Sequence, residues 1–112
     1  VGVVRGRVWD VVVDIRPWSA TFGHYYAEEL SDENGVMLWV PMGFAHGFCV
    51  LGDEAADVVY KTTAPYAPEG EGGIRYDDPM LRIPWPVGNP LLSSRDAALP
   101  GWSAYCHNAP DW

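Results

Sequence analysis

LWVPMGFAHGFCVL, Leu38 to Leu51, is the segment from which the architecture is read. Its two apolar runs, 38–40 and 48–51, read as buried strands, because branched and aromatic side chains fit a pleated surface. Between them Pro41 removes a ladder donor, and Gly43 and Gly47 let the backbone bend. His46 falls in that bend, between Phe44 and Phe48. A single imidazole amid apolar walls points to a ligand cavity inside an all-β container. A satisfied core histidine is the more ordinary alternative.

The same reading extends outward. RVWDVVVDI (7–15) alternates as a strand, with Val8, Asp10, Val12 and Asp14 on one face and Trp9, Val11, Val13 and Ile15 on the other. The second face is wholly apolar and must pack. The first carries two carboxylates: it is either a solvated outer face or, at Asp10, the lining of a polar cavity. Val3 to Arg5 reads as the end of a strand before a turn at Gly6. HYYAEEL (24–30) is a further strand, Asn34-Gly35 a tight turn, and 36–40 a strand feeding the bend. Gly52-Asp53-Glu54 closes the next hairpin. ADVVYKT (56–62) is the last long strand, with Val58 and Tyr60 on one face.

From Thr63 to Asn89 the density of Pro and Gly excludes regular helix. The aromatic content predicts an ordered loop with short strands packed over the barrel. Ser93 to Ala98 reads as a helical turn, with Ser93 as N-cap and Asp96 the acid three residues on. Residues 101–112 show no period and read as a loose, divergent tail after a domain at 1–100. Short strands spaced by turns at roughly ten-residue intervals are the pattern of a sandwich or barrel.

Composition narrows the class. With 112 residues, 48% apolar and 13% aromatic, the chain is one globular domain. A net charge of −8 argues against nucleic acid and anionic membrane surfaces. No run is long enough to span a membrane, and no signal-peptide pattern opens the chain. Cys49 and Cys106 are too few for a disulfide scaffold; reduced thiols and a cytoplasmic location are expected. The chain opens on Val1 directly in strand-like sequence, as the interior of a longer protein would.

Most chemistries lack their motifs. There is no phosphate loop, dinucleotide fingerprint, CxxC pair or nucleophile elbow. His24, His46 and His107 are not at ligand spacing, and no HxH pair is present, so metal catalysis is not expected. What remains is acid–base chemistry by a phenol (Tyr60), an imidazole (His46) and carboxylates (Asp10, Asp96), groups suited to moving a proton beside a carbonyl. An ordinary strand tyrosine and a helix-cap aspartate are the competing readings of Tyr60 and Asp96.

VWDVVVDIR (8–16), SATFGHY (19–25), ELSDEN (29–34), LWVPMGFAHGF (38–48), VVYKTTAPYAP (58–68), GIRYDDP (73–79), WP (85–86) and LLSSRDAALP (91–100) occur in this order. Together they resemble the dTDP-4-dehydrorhamnose 3,5-epimerases, over roughly nine-tenths of the chain. The resemblance implies a cupin-like jelly roll, incomplete at its N-terminus, and a homodimer when full length. It implies cofactor-free inversion of C3 and C5 in a dTDP-linked 4-keto-6-deoxy sugar, with no metal. Tyr60 matches the family's proton donor, and Asp96 the carboxylate that orients its catalytic histidine. His46 lines the substrate site, Asp10 matches an acid in the barrel, and Glu71 and Arg95 match positions that touch the nucleotide.

The departures carry their own expectation. The family's base histidine stands in a GLHF-type motif, with a basic pair that grips the diphosphate, and neither occurs in this sequence. His24 and His107 do not fall in that motif. Pro65 replaces an aromatic common beside Tyr66. This chain alone is therefore expected to be a poor catalyst. A non-catalytic sugar-nucleotide-binding cupin and a related 3- or 5-monoepimerase are the alternatives.

Overall fold

The computed structural model describes residues 1–62, 72–88, 90–107 and 109. Five strands, β1 (Gly2–Arg5), β2 (Arg7–Asp14), β3 (Tyr25–Ser31), β4 (Phe44–Val50) and β5 (Asp57–Val59), precede two short helices, α1 (Ser94–Ala97) and α2 (Trp102–His107). They form an antiparallel sheet in the order β3-β2-β4 and a two-stranded antiparallel sheet of β1 and β5. The molecule is thus all-β in its framework, as the alternation predicts.

β2 organises the fold because both its faces are covered. In register, Val8 lies opposite Leu30 and Val50, Asp10 opposite Glu28 and Phe48, and Val12 opposite Tyr26 and His46. Paired residues share a face, so all of these line one side of the sheet, here called the inner face. At its Val8 end the inner face packs against the second sheet: Val8, Leu30 and Val3 form a buried cluster flanked by Val36, Leu38 and Val58. The outer face, with Val11 and Val13, is covered by the C-terminal third. Trp85 meets Trp9 edge-on at 5.3 Å. Val13, Leu81 and Trp102 form a second buried cluster, against which Phe22, Ile74, Ile83 and Tyr105 pack.

Several boundaries differ from expectation. The bend is confined to Pro41–Gly43, and β4 already begins at Phe44, so His46 is a strand residue and not a bend residue. Gly47 is accommodated in the ladder because Trp85 closes over it, 3.4 Å from where a Cβ would stand. Residues 36–40 alternate in burial but form no strand. Their pairing is one reciprocal couple, Val1 N–H to Leu38 O and Leu38 N–H to Val1 O, both 2.9 Å. The last strand is three residues long, not seven: among the described residues β1 is its only partner, and the register ends at Gly2 opposite Val59. Tyr60 therefore sits just beyond the strand. Residues 72–88 contain no strand.

The C-terminal region is more ordered than its lack of period predicts. α1 is capped as expected, Ser93 accepting from the Asp96 N–H at 3.0 Å. α2 is docked: Trp102 is buried, its N–H donates to Asp78 Oδ2 at 2.8 Å, and the Tyr105 hydroxyl donates to the Ile15 carbonyl. Trp102 also packs on Phe22, with ring centroids 4.8 Å apart. Six residues are too few to display helical periodicity. No helix among the described residues is long and apolar enough to cross a membrane.

Candidate active site

The inner face places a carboxylate and an imidazole diagonally across the β2–β4 ladder. Asp10 is fully excluded from solvent. His46 Nε2 lies 2.9 Å from its Oδ1 and 2.8 Å from its Oδ2. A carboxylate can only accept, so Nε2 carries the proton and donates, and Nδ1 is the ring nitrogen that Asp10 does not engage. Asp10 is thus neither on a solvated face nor unpaired. Such a pair alone also suits a satisfied core histidine. The His46 side chain, however, retains 18% of its surface, and a phenol stands beside it.

Tyr60, entering from the end of β5, meets the His46 ring at 6.1 Å in an edge-on arrangement, with 87° between planes. Phe48 lies 6.1 Å away on the same face. Burial raises the Tyr60 phenol above its ordinary value, and the Asp10 charge adds to the rise. A phenol is protonated at neutral pH in any case, and Tyr60 remains half exposed, open to exchange a proton. Farther along the sheet a hollow of about 300 Å³ is lined by Val12, Asp14, Thr21, His24, Tyr26 and Phe44 among others, and not by Asp10, His46 or Tyr60. Val12 and Phe44 connect it to His46, one as its register partner and the other two residues along β4. A cleft of about 480 Å³ at the other end of the sheet is lined by surface charges such as Arg5, Arg7, Glu29 and Asp53, remote from these groups.

Two further polar clusters on the inner face escape the sequence reading. Asp14, 1% exposed, receives Arg16 Nε at 3.0 Å and Nη2 at 2.9 Å, the Arg16 backbone N–H at 3.0 Å and the Ser19 hydroxyl at 2.6 Å. Thr21 donates to the same carboxylate. The guanidinium holds the Asp14 carboxyl far below the usual carboxylate range; burial opposes this, and the hydroxyls add to it. The D-x-R spacing followed by Ser and Thr was the available signal. On β3, Tyr26 donates to Glu28, and that bond raises the phenol above its ordinary value.

The remaining candidates are not gathered here. Asp96 and Arg95 are exposed on α1. Among the described residues, no hydrogen bond or ring contact joins Asp96 to Asp10, His46 or Tyr60; its visible part is in the cap of α1. Glu71, Pro65 and Tyr66 lie outside the described residues. His24 borders the hollow, and His107 Nδ1 bonds the Ser103 carbonyl within α2. Among the described residues, no three His, Cys, Asp or Glu side chains are grouped to hold a metal.

Known proteins resemble this chain in sequence and in fold. A dTDP-4-dehydrorhamnose 3,5-epimerase of Shigella flexneri is 55% identical over 83% of this chain, which corresponds to 51% of the Shigella protein. The crystal structure of the Legionella pneumophila dTDP-6-deoxy-D-glucose-3,5-epimerase, in complex with dTDP-4-keto-L-rhamnose, superposes with a TM-score of 0.85 at 46% identity. That match covers 98% of this chain and 56% of the Legionella chain. A 3'-monoepimerase of Streptomyces bikiniensis, in complex with dTDP-quinovose, gives a TM-score of 0.87 at 36% identity, over 95% of this chain and 54% of its own. This chain thus spans about half the length of these relatives. The family model described as dTDP-4-dehydrorhamnose 3,5-epimerase matches residues 1–104, and the chain, a cupin-like all-β fold, belongs to that family.

Proposed function

We propose that the protein containing this chain is an epimerase of a dTDP-linked 4-keto-6-deoxy sugar. Its reaction inverts C3 and C5 of dTDP-4-dehydro-6-deoxyglucose to give dTDP-4-dehydro-rhamnose. The observation that carries this reading is the edge-on meeting of Tyr60 with a His46 ring that Asp10 holds by Nε2. The 4-keto group acidifies the hydrogens on both neighbouring carbons. A base removes one of them as a proton, and its electron pair moves into an enolate. His46 would steady the enolate as an imidazolium, with Nε2–H on the buried Asp10 carboxylate and Nδ1–H on the enolate oxygen. Tyr60 returns a proton to the opposite face of the carbon; the base then releases its proton to solvent and the phenolate takes one up, which restores both groups. No electron is gained or lost overall, so no redox cofactor is required.

The other roles rest on the resemblance alone. Asp96 would orient the base histidine, and Arg95 and Glu71 would touch the nucleotide. None of the three histidines stands in the GLHF-type motif, so we assign none of them as base. A homodimer likewise rests on the resemblance. A cytoplasmic location fits two unpaired thiols, Cys49 and Cys106. The ligand of the Legionella relative supports the substrate class, and the Streptomyces bikiniensis relative favours single-carbon epimerisation as a second reading.

The test is incubation of the protein with dTDP-4-dehydro-6-deoxyglucose in D₂O, with deuterium located in the product by NMR. Label at C3 and C5 is expected. Label at C3 alone selects the second reading, and label at neither carbon overturns the epimerase assignment in favour of a binding cupin.

A further inference from the structure

We infer that Arg16 is a positioning residue for His46, acting through the Gly43–Phe44 entry of β4. Three contacts converge there. The Ile15 N–H donates to the Gly43 carbonyl at 3.0 Å. The Arg16 stem occupies the space of an absent side chain at residue 43: a Cβ there would lie 2.5 Å from Cγ and 2.6 Å from Cδ. The guanidinium then stacks over the Phe44 ring, 4.9 Å from its centroid, while its fork closes on the buried Asp14 carboxylate. Gly43 holds φ at 91°, which a side chain would strain in any case.

The consequence follows from strand geometry. Phe44 and His46 are successive inner-face residues of β4, and Asp14 and Val12 are their register partners on β2. Among the described residues β4 is bonded to β2 alone, and Gly47 weakens it from within. A slide of a few tenths of an ångström at Phe44 would pass directly to the His46–Asp10 contact. Two buried carboxylates thus set the imidazole: Asp10 holds the ring, and Asp14, through Arg16, holds the strand that carries it. This inference needs the His46–Asp10 geometry and not the epimerase reading.

The test is the hydrogen exchange of the His46 Nε2–H, followed by ¹H–¹⁵N NMR in Arg16→Met and Arg16→Lys. Methionine keeps the unbranched stem, lysine keeps the charge, and neither keeps the fork. Both should speed that exchange about tenfold, the scale of a lost charge-assisted pair. The Nε1–H of Trp85, which donates to the Tyr76 carbonyl at 2.7 Å on the other face, is the internal control and should not change. Phe44→Leu, which leaves the Arg16–Asp14 pair intact, should accelerate His46 exchange by a smaller factor. Unchanged His46 exchange in these variants, or equal acceleration at His46 and Trp85, would overturn the inference. Faster His46 exchange with dTDP-sugar turnover unchanged would count against the proposed part of His46 in the reaction and leave this inference standing.

Discussion

Removing His46 should cost more stability than removing the charge it binds. Asp10 has no solvent exposure, whereas His46 retains some. In His46→Ala the Asp10 carboxylate stays buried and loses its only side-chain hydrogen-bond donor among the described residues. An uncompensated buried charge of this kind costs about 3–5 kcal/mol. Asp10→Asn keeps the shape and an acceptor at Oδ1 while discarding the charge, and should cost about 1–3 kcal/mol. Against a total stability of roughly 5–15 kcal/mol for a small domain, either is large. With a urea m-value of about 2 kcal/mol/M, the His46→Ala midpoint should fall by roughly 1.5–2.5 M. The double variant is decisive: with the charge gone, the missing imidazole matters less, so Asp10→Asn/His46→Ala should unfold at higher urea than His46→Ala alone. A double variant no more stable than His46→Ala would refute the reasoning, since no orphaned charge would then be penalised.

Three other outcomes follow from named contacts. Tyr60→Phe should lower kcat by about 10²–10⁴ with KM within about threefold, measured as epimerised dTDP-4-keto sugar, because in the proposed reaction it removes the proton donor of the transition state. Asp14 in the folded protein releases its proton far more readily than in the unfolded chain. The stability this contributes is therefore present above about pH 4 and lost as pH falls below it. Asp14→Asn should flatten that acid limb by up to about 1.4 kcal/mol per pH unit in urea titrations. Trp102→Ala should cost about 3–5 kcal/mol by the same assay, as expected of a core aromatic; a loss under about 1 kcal/mol would mean that α2 is not docked.

How far the sequence could be read depended on what each residue answers to. β2 was legible because nine residues alternate cleanly and Pro and Gly punctuate its ends. Its inner face was not: Asp10 and Asp14 resemble solvent-facing acids until His46 and Arg16 are brought beside them, one by a partner strand 36 residues away. β4 was misread at its start because Gly47 looks like a bend, and only Trp85, from a Pro-rich segment, makes room for glycine in a ladder. The length of β5 depended on its partner and not on its own β-branched residues. Tyr60 and His46 were chosen separately, and their proximity depends on how two sheets face each other, which no local pattern encodes. Asp96 shows the reverse: its cap role was local and readable, while the role carried by resemblance has no contact among the described residues.

One measurement addresses the shared site itself. The protein, labelled on histidine and tyrosine rings, is titrated with a dTDP-linked 4-keto-6-deoxy sugar and followed by NMR. The account predicts that the His46 and Tyr60 signals move together and saturate with a single Kd, while those of Tyr105, on the outer face, stay still. Saturation of the two at different concentrations, or movement of neither, would contradict it.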